Sequence, residues 1–209
     1  MNMIDRVKIE NTTIALISKY IKTGSPAKSL LKIIATEGIK FKEIKSSKNF
    51  LGALIKGTTN TPYIFINNTI DNEGRKNFTI AHEFGHFILQ HHLQTAIFYC
   101  KESDIKEEGE AISEQEREAN YFASYFLLPK DKVIKKFTQL FRWHVGLSGR
   151  IFLNVFPHNK SYSNWKIISS KLAKEFKVSV TALKIRLTDL GLVKCNFEDM
   201  KQKEKGKWN

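Results

Sequence analysis

One segment of the sequence has residue types and spacing that point directly to chemistry: H-E-x-x-H, with His82, Glu83 and His86. Residues four apart lie on the same face of a helix, so both imidazoles can bind one metal ion. Zinc with three protein ligands keeps a water molecule in its fourth position and lowers the pKa of that water to about 7. Glu83 directly follows the first histidine, where its carboxylate can accept a proton from that water. The segment therefore predicts a zinc-dependent hydrolase with Glu83 as the general base.

The residues around this segment predict a helix that can hold it. Residues 75–90 contain no proline, and Phe84, Phe87 and Ile88 continue an apolar stripe beside the two histidines. Gly85 within this helix costs about 1 kcal/mol of helix stability relative to alanine. Two explanations stay open for Gly85: a tolerated surface glycine, or a close approach by another backbone or by substrate.

A second helix offers the third zinc ligand. Residues 101–118 contain eight carboxylates against three basic side chains, so most of these glutamates should be solvated. The chain then becomes apolar with helical spacing until Pro129. Extending this apolar stripe backwards puts Glu116 roughly 50° from its centre, against roughly 110° for Glu118. Glu116 is therefore the predicted third ligand, and Asn120, one turn further on, is placed to orient a ligand by a hydrogen bond.

Two separated blocks of the sequence resemble the ImmA/IrrE family of metallo-endopeptidases. The first block is RKNFTIAHEFGH at residues 75–86. The second is EREANYFA at residues 116–123, followed by LLP at 127–129. The resemblance covers the catalytic core, roughly residues 50–130, with both blocks in the family's order.

This resemblance implies a zinc site and a class of substrate. By analogy with the family, His82, His86 and Glu116 would be the zinc ligands and Glu83 the general base. Known members of the family cleave repressors of the helix-turn-helix type. The resemblance therefore implies a protein substrate, a transcriptional repressor, and an antirepressor role for this chain.

The pattern of short apolar segments predicts an α+β fold with a zincin-like core. Residues 39–44, 50–55 and 63–66 are β-branched or aromatic and predict strands, the last two joined as a hairpin. Residues 12–20 and 27–37 predict helices. We expect a small mixed or antiparallel sheet packed on the two metal-binding helices. An edge strand from the hairpin would be able to pair with an extended substrate.

The rest of the chain divides into less regular parts. We expect the metallopeptidase core to span residues 1–140 and an irregular, aromatic insertion to span 141–165. A helical pair at 166–193 and a basic, disordered tail at 194–209 would follow. The remaining four histidines are not expected to bind metal, because none has a partner at ligand spacing: His91, His92, His144 and His158.

The helical pair at residues 166–193 supports an alternative function. Two short helices around a break at 177–179 are typical of a helix-turn-helix. Thr181, Lys184 and Arg186, with Lys177 before them, would then meet phosphates or base edges. The chain would in that case be a DNA-binding regulator with a structural or sensory zinc site. We favour the other interpretation, in which the pair packs on the catalytic core or docks the protein substrate, because ImmA/IrrE-like chains have a similar ending.

The net charge of +13 is unevenly distributed along the 209 residues. Residues 1–50, 119–165 and 166–209 each carry +6, whereas 51–100 is neutral and 101–118 carries −5. Such an excess raises affinity for anionic partners such as nucleic acid. A lysine-rich, solvated surface is the simpler explanation, and we favour it over a specific nucleic-acid site.

Composition indicates the compartment in which the protein would work. Hydrophobic residues make up 42% of the chain, enough for a compact core. No apolar run is long enough to span a bilayer. Residues 1–5 lack the basic and apolar segments that begin a secretory signal. We therefore expect a cytoplasmic enzyme with no membrane partner.

Overall fold

The computed structural model describes residues 5–47, 49–57, 60–91, 97–101, 113–146, 151–157 and 159–196, with only the backbone described at 97–101. The chain divides into two compact units. The first comprises Met1–Leu128 and Phe176–Ser179, and the second comprises Pro129–Glu175 and Val180–Asn209. The domain boundaries proposed from the sequence remain predictions. Among the described residues, no helix combines the length and the apolar character needed to cross a bilayer.

The described residues of the first unit form four helices and a four-stranded sheet. Its elements are α1 (Arg6–Tyr20), α2 (Pro26–Thr36), β1 (Lys40–Ile44), β2 (Phe50–Lys56), β3 (Pro62–Asn67), α3 (Glu73–Ile88), β4 (Ile97–Lys101) and α4 (Glu114–Leu127). The strand order is β1-β3-β2-β4, with β1 parallel to β3 and the other pairs antiparallel. The expected α+β class, the mixed sheet and the β2–β3 hairpin are therefore confirmed.

The position of the hairpin corrects the expectation about substrate pairing. β3 lies between β1 and β2, and β2 lies between β3 and β4. The backbone groups of both hairpin strands are thus engaged on either side. The prediction of an edge strand within residues 51–66 was wrong, and β1 and β4 are the outer strands of the described sheet. Strand β4 was not predicted from the sequence; it ends at Lys101, the first residue of the acidic segment 101–118.

An aromatic cluster joins α3 to α4. Phe84 is fully buried, and its ring lies edge-on to Phe122 and Phe126, with centroids 6.0 and 6.1 Å away. Each buried phenylalanine contributes roughly 1.5–3 kcal/mol of hydrophobic stabilisation. A Cβ on Gly85 would lie 2.9 Å from Phe122 Cδ1 and 3.4 Å from Ala119 Cα. Gly85 therefore allows the close approach of α4, and the surface-glycine interpretation is wrong.

In the second unit, the part of the chain that the structure describes contains three helices and two short strands. Its elements are α5 (Lys130–His144), β5 (Leu153–Val155), α6 (Lys160–Phe176, whose last residue belongs to the first unit), α7 (Val180–Asp189) and β6 (Val193–Cys195). β5 and β6 pair in parallel. Helix α5 was not predicted from the sequence. The stretch expected to be irregular, 141–165, contains the end of α5, all of β5 and the start of α6.

Helix α7 is terminated by a glycine. Gly191 has φ +65°, a left-handed conformation that glycine adopts without strain. The Gly191 N–H donates to the Thr188 carbonyl, and the Leu192 N–H donates to the Leu187 carbonyl, both at 2.9 Å. These two bonds form a Schellman motif, which satisfies the last carbonyls of the helix.

Candidate metal centre

Helix α3 presents both motif histidines on one buried face. The helix begins with an N-cap at Asn72, whose side chain accepts a 2.9 Å hydrogen bond from the Arg75 N–H. His82 and His86 lie one turn apart and are almost completely buried. Their Nε2 atoms are 3.1 Å apart. The helix therefore brings two imidazole donors to one point, as the spacing predicts.

Helix α4 brings a carboxylate to the same point. Glu116 lies in the first turn of α4, where its N–H donates to the N-cap Ser113 Oγ at 3.2 Å. Glu116 Oε2 is 3.0 Å from His82 Nε2, and Glu116 Oε1 is 3.3 Å from His86 Nε2. His82, His86 and Glu116 each offer one ligand atom, and these atoms lie within 4.8 Å of one another.

These distances fit a zinc ion. Two nitrogen atoms bound at 2.0–2.1 Å to one tetrahedral zinc lie about 3.3 Å apart. The donor atoms of His82, His86 and Glu116 are already separated by 3.0–3.3 Å. Two imidazoles and one carboxylate are also a donor set found in catalytic zinc sites. A metal ion could thus bind with little movement of the side chains.

The electrostatics of the site favour the protonation states that a metal requires. Burial lowers the pKa of His86 to about 4, so the imidazole is neutral near pH 7. Burial alone would raise the pKa of Glu116, but hydrogen bonds and charge from His82 and His86 outweigh it and lower this pKa to about 2. A neutral imidazole and an ionised carboxylate are the forms that bind metal.

Asn120 contacts the first histidine, at the position that the helical spacing indicates. Its Oδ1 lies 2.9 Å from His82 Nδ1, and both side chains are buried. The amide oxygen can only accept, so His82 Nδ1 carries the hydrogen and donates it. The lone pair of His82 then lies on Nε2, the atom that faces Glu116. The role of Asn120 in orienting a ligand stays a prediction that this geometry supports.

The structure also reveals a contact that the sequence analysis missed. His91 Nδ1 lies 2.9 Å from His86 Nδ1, and His91 Nε2 lies 2.9 Å from Glu118 Oε2. Glu118, expected to be solvated, therefore contacts a buried histidine. Gln90 has φ +62°, and the chain turns there just after α3 ends. Helical periodicity does not extend across such a turn, so it gave no signal for His91.

Glu83 faces a space provided by the sheet. The side chain is fully buried, although it is a carboxylate. A Cβ on Gly52 of β2 would lie 3.1 Å from Glu83 Oε1 and 2.9 Å from Thr79 Cγ2. The glycine thus leaves room for the carboxylate against the strand. A buried carboxylate directly beside a metal-binding cluster is typical of a catalytic position.

The other histidines contribute differently. His144 lies in the second unit, with Nε2 3.2 Å from Lys171 Nζ. His92 and His158 lie outside the described residues. The acidic segment 102–112 and residues 197–209 of the predicted tail also lie outside them. The first residues of that tail, Lys194 and Cys195, belong to β6, so the prediction of disorder from residue 194 was wrong there.

The basic residues proposed to contact DNA are less available than the sequence suggested. Arg186 is buried on the same face of α7 as Leu183 and Leu187, so the expectation that it meets phosphates was wrong. Lys177 Nζ lies 2.6 Å from Glu73 Oε1, at the start of α3. Of the proposed contacts, Thr181 is exposed and Lys184 is partly exposed. Burial of Arg186 and the ion pair of Lys177 therefore count against two of the four proposed phosphate contacts.

Comparison with known proteins identifies the domain that contains this cluster. The profile of the M78 peptidases, described as the IrrE N-terminal-like domain, matches residues 38–188, which is more than half of the chain. The matched region includes α3 and α4. No curated protein matches the sequence.

Proposed function

Because the chain belongs to the M78 peptidase family, as its resemblance to ImmA/IrrE proteins predicted, we propose that it is a zinc-dependent endopeptidase. The observation that carries this proposal is the convergence of His82, His86 and Glu116 from two packed helices. A bound zinc ion would supply a Lewis acid that polarises the scissile carbonyl and makes water acidic enough to be deprotonated near neutral pH. The zincin-like character of the core belongs to the same proposal.

The residues of the chain would share the remaining work of hydrolysis. Glu83 would accept the proton of the attacking water and then deliver it to the leaving amine. Burial against Gly52 keeps this carboxylate away from bulk solvent and restricts its orientation. Asn120 would hold His82 in the tautomer with a free Nε2.

The proposed substrate is a protein, specifically a transcriptional repressor of the helix-turn-helix type. The resemblance to ImmA/IrrE metallo-endopeptidases supports this choice, and the enzyme would then act as a cytoplasmic antirepressor. The buried Arg186 and the engaged Lys177 weaken the alternative of a DNA-binding regulator. The helical pair α6–α7 would instead pack in the enzyme or dock its substrate.

The test uses the purified full chain loaded with zinc and a repressor encoded next to it. Intact mass measurement over time should show two new fragments whose masses add up to the repressor plus one water. Glu83→Gln keeps the size of the side chain but accepts protons poorly, so cleavage should fall by about 10²–10⁴-fold. Glu114→Gln, an exposed change in the first turn of α4, is the control and should keep the wild-type rate.

Two results would contradict the proposal. Cleavage of a confirmed substrate by Glu83→Gln at the wild-type rate would remove Glu83 from the mechanism. A wild-type protein that binds no zinc would remove the metal centre itself.

A further inference from the structure

We propose that His91 and Glu118 form a positioning pair that holds His86 in the orientation and tautomer needed to bind the metal. This inference rests on the proposed function, because it concerns the same metal centre. The pair lies beyond the residues that the H-E-x-x-H motif and the second block identify as ligands. It links three side chains in series: Glu118 on α4, His91 after α3, and His86 within α3.

The contacts define a continuous path. Glu118 Oε2 lies 2.9 Å from His91 Nε2, and His91 Nδ1 lies 2.9 Å from His86 Nδ1. His86 Nε2, on the opposite side of that ring, lies 3.3 Å from Glu116 Oε1. His91 is buried, whereas the side chain of Glu118 is 23% exposed. The path therefore runs from the partly solvated rim of the site to the candidate ligand.

The chemistry of these groups determines where each hydrogen lies. An ionised carboxylate only accepts, so His91 Nε2 must donate to Glu118. A neutral His91 then has a lone pair on Nδ1, which accepts the hydrogen carried by His86 Nδ1. His86 Nε2 is left with its lone pair directed at the metal centre. A hydrogen bond of this kind from a ligating imidazole fixes the ring and raises its basicity.

The two histidine ligands would consequently be supported in different ways. His82 donates to a neutral amide oxygen on Asn120. His86 donates to a second imidazole, which is itself held by a charged carboxylate. Hydrogen bonds to an ionised acceptor are roughly twice as strong as neutral ones. We therefore expect the His86 side of the site to depend on Glu118, although Glu118 does not touch His86.

A series of substitutions tests this dependence through metal binding rather than activity. Glu118→Ala and His91→Ala should each weaken zinc affinity by about 10–100-fold, measured by competition with a chromophoric chelator. Glu118→Gln should restore much of the loss, because its amide oxygen can still accept from His91. Glu114→Ala removes an exposed carboxylate one turn before Glu118 on α4 and should leave the affinity unchanged.

A double-mutant cycle distinguishes residues that act in series on zinc affinity from residues that act on it independently. Because Glu118 acts through His91, the double variant Glu118→Ala/His91→Ala should bind zinc about as well as His91→Ala alone. Glu118→Ala combined with Asn120→Ala should show additive losses, since the two act on different histidines. The visible spectrum of the Co²⁺-substituted protein should change in Glu118→Ala and remain unchanged in Glu114→Ala.

Each possible outcome tests either the positioning role of His91 and Glu118 or the proposed function. Wild-type zinc affinity and an unchanged Co²⁺ spectrum in Glu118→Ala would overturn the positioning role, as would additive losses in the Glu118/His91 cycle. If His91→Ala does not fold, the comparison of Glu118→Ala with Glu118→Gln decides alone. A wild-type chain that binds no zinc would instead contradict the proposed function, so the two failures are distinguishable.

Discussion

Two helix pairs of this molecule, α3–α4 and α6–α7, use polar side chains in opposite ways. The pair α3–α4 buries several polar side chains together within a largely apolar core: His82, Glu83, His86 and Asn120. The charged residues of the pair α6–α7 are mainly basic, yet the arginine proposed as a DNA contact is buried, and Lys177, between the two helices, forms an ion pair with Glu73. A polar residue type alone therefore does not indicate function. Several polar residues that converge in one buried place do indicate a function.

We expect the largest effect from a substitution that removes a candidate ligand from the buried cluster on α3 and α4. His86→Ala removes one of three donors, so the protein should lose most of the roughly one zinc ion per chain that a mononuclear site binds. The control variant His144→Ala, changed at the end of α5 in the second unit, should still bind zinc as the wild type does. Elemental analysis after dialysis measures both.

The same experiment tests the choice of the third donor. Glu116→Ala should also lose zinc at limiting metal. Full retention would contradict Glu116 as a ligand, and Glu118 would be the next residue to test, because it lies on the same helix and contacts the cluster through His91.

The metal-free protein should become less stable as the pH falls. Burial lowers the pKa of His86 from 6.5 to about 4, so the unfolded chain binds more protons between these two values. The stability that neutral His86 contributes is therefore fully present above pH 6.5 and is lost as the pH falls through about 4. This shift in the pKa of His86 corresponds to about 3 kcal/mol in the free energy of unfolding. Glu116, with its pKa lowered from 4.5 to about 2, extends the decline to still lower pH.

Urea unfolding of chelator-treated protein at about pH 7.5 and about pH 4.5 measures this decline. His86→Gln should flatten the dependence across this range, whereas His144→Gln should not change it. An equal slope in His86→Gln and wild type would show that His86 is not buried in its neutral form.

The elements that the sequence predicted are those whose signal is local. The buried face of α3 and the position of Glu116 towards the core both follow from 3.6-residue periodicity. β4 could not be found in this way, because its partner β2 lies more than forty residues earlier. His91 was missed because the chain turns at Gln90.

Arg186 is a different case, because its burial was accessible from the sequence. Leu183, Arg186 and Leu187 have i, i+3, i+4 spacing, which places all three on one face of a helix. The angular count that selected Glu116 would have placed Arg186 on the buried face of α7. The charge of the Arg186 guanidinium predicts exposure, whereas the helical periodicity predicts burial, and the structure agrees with the periodicity.

A smaller effect concerns the segment Phe176–Ser179 in the first unit. Asn77 Nδ2 donates to the Lys177 carbonyl at 2.9 Å, and a Cβ on Gly74 would lie 2.3 Å from the Val178 carbonyl carbon. Backbone cannot yield as a flexible side chain does, so Gly74→Ala should destabilise the protein by about 1–3 kcal/mol. Lys177→Ala, which removes the ion pair with Glu73, should cost less than about 1 kcal/mol. Urea unfolding compares the two, and equal losses would contradict the close approach at Gly74.

The smallest effect is expected where the basic helix pair meets DNA. The partly exposed Lys184 is the position of α7 best suited to a phosphate contact, because Arg186 is buried and its substitution would disturb the fold. We expect the wild-type protein to bind duplex DNA weakly and regardless of sequence, with a dissociation constant of roughly 10⁻⁴–10⁻⁶ M near physiological salt. Lys184→Glu should then weaken this binding slightly and leave the zinc content unchanged. Mobility shifts with operator-like and random duplexes make the comparison. A submicromolar, sequence-specific complex that Lys184→Glu abolishes would reverse the contrast between the two helix pairs, because the second pair would then also carry a specific function.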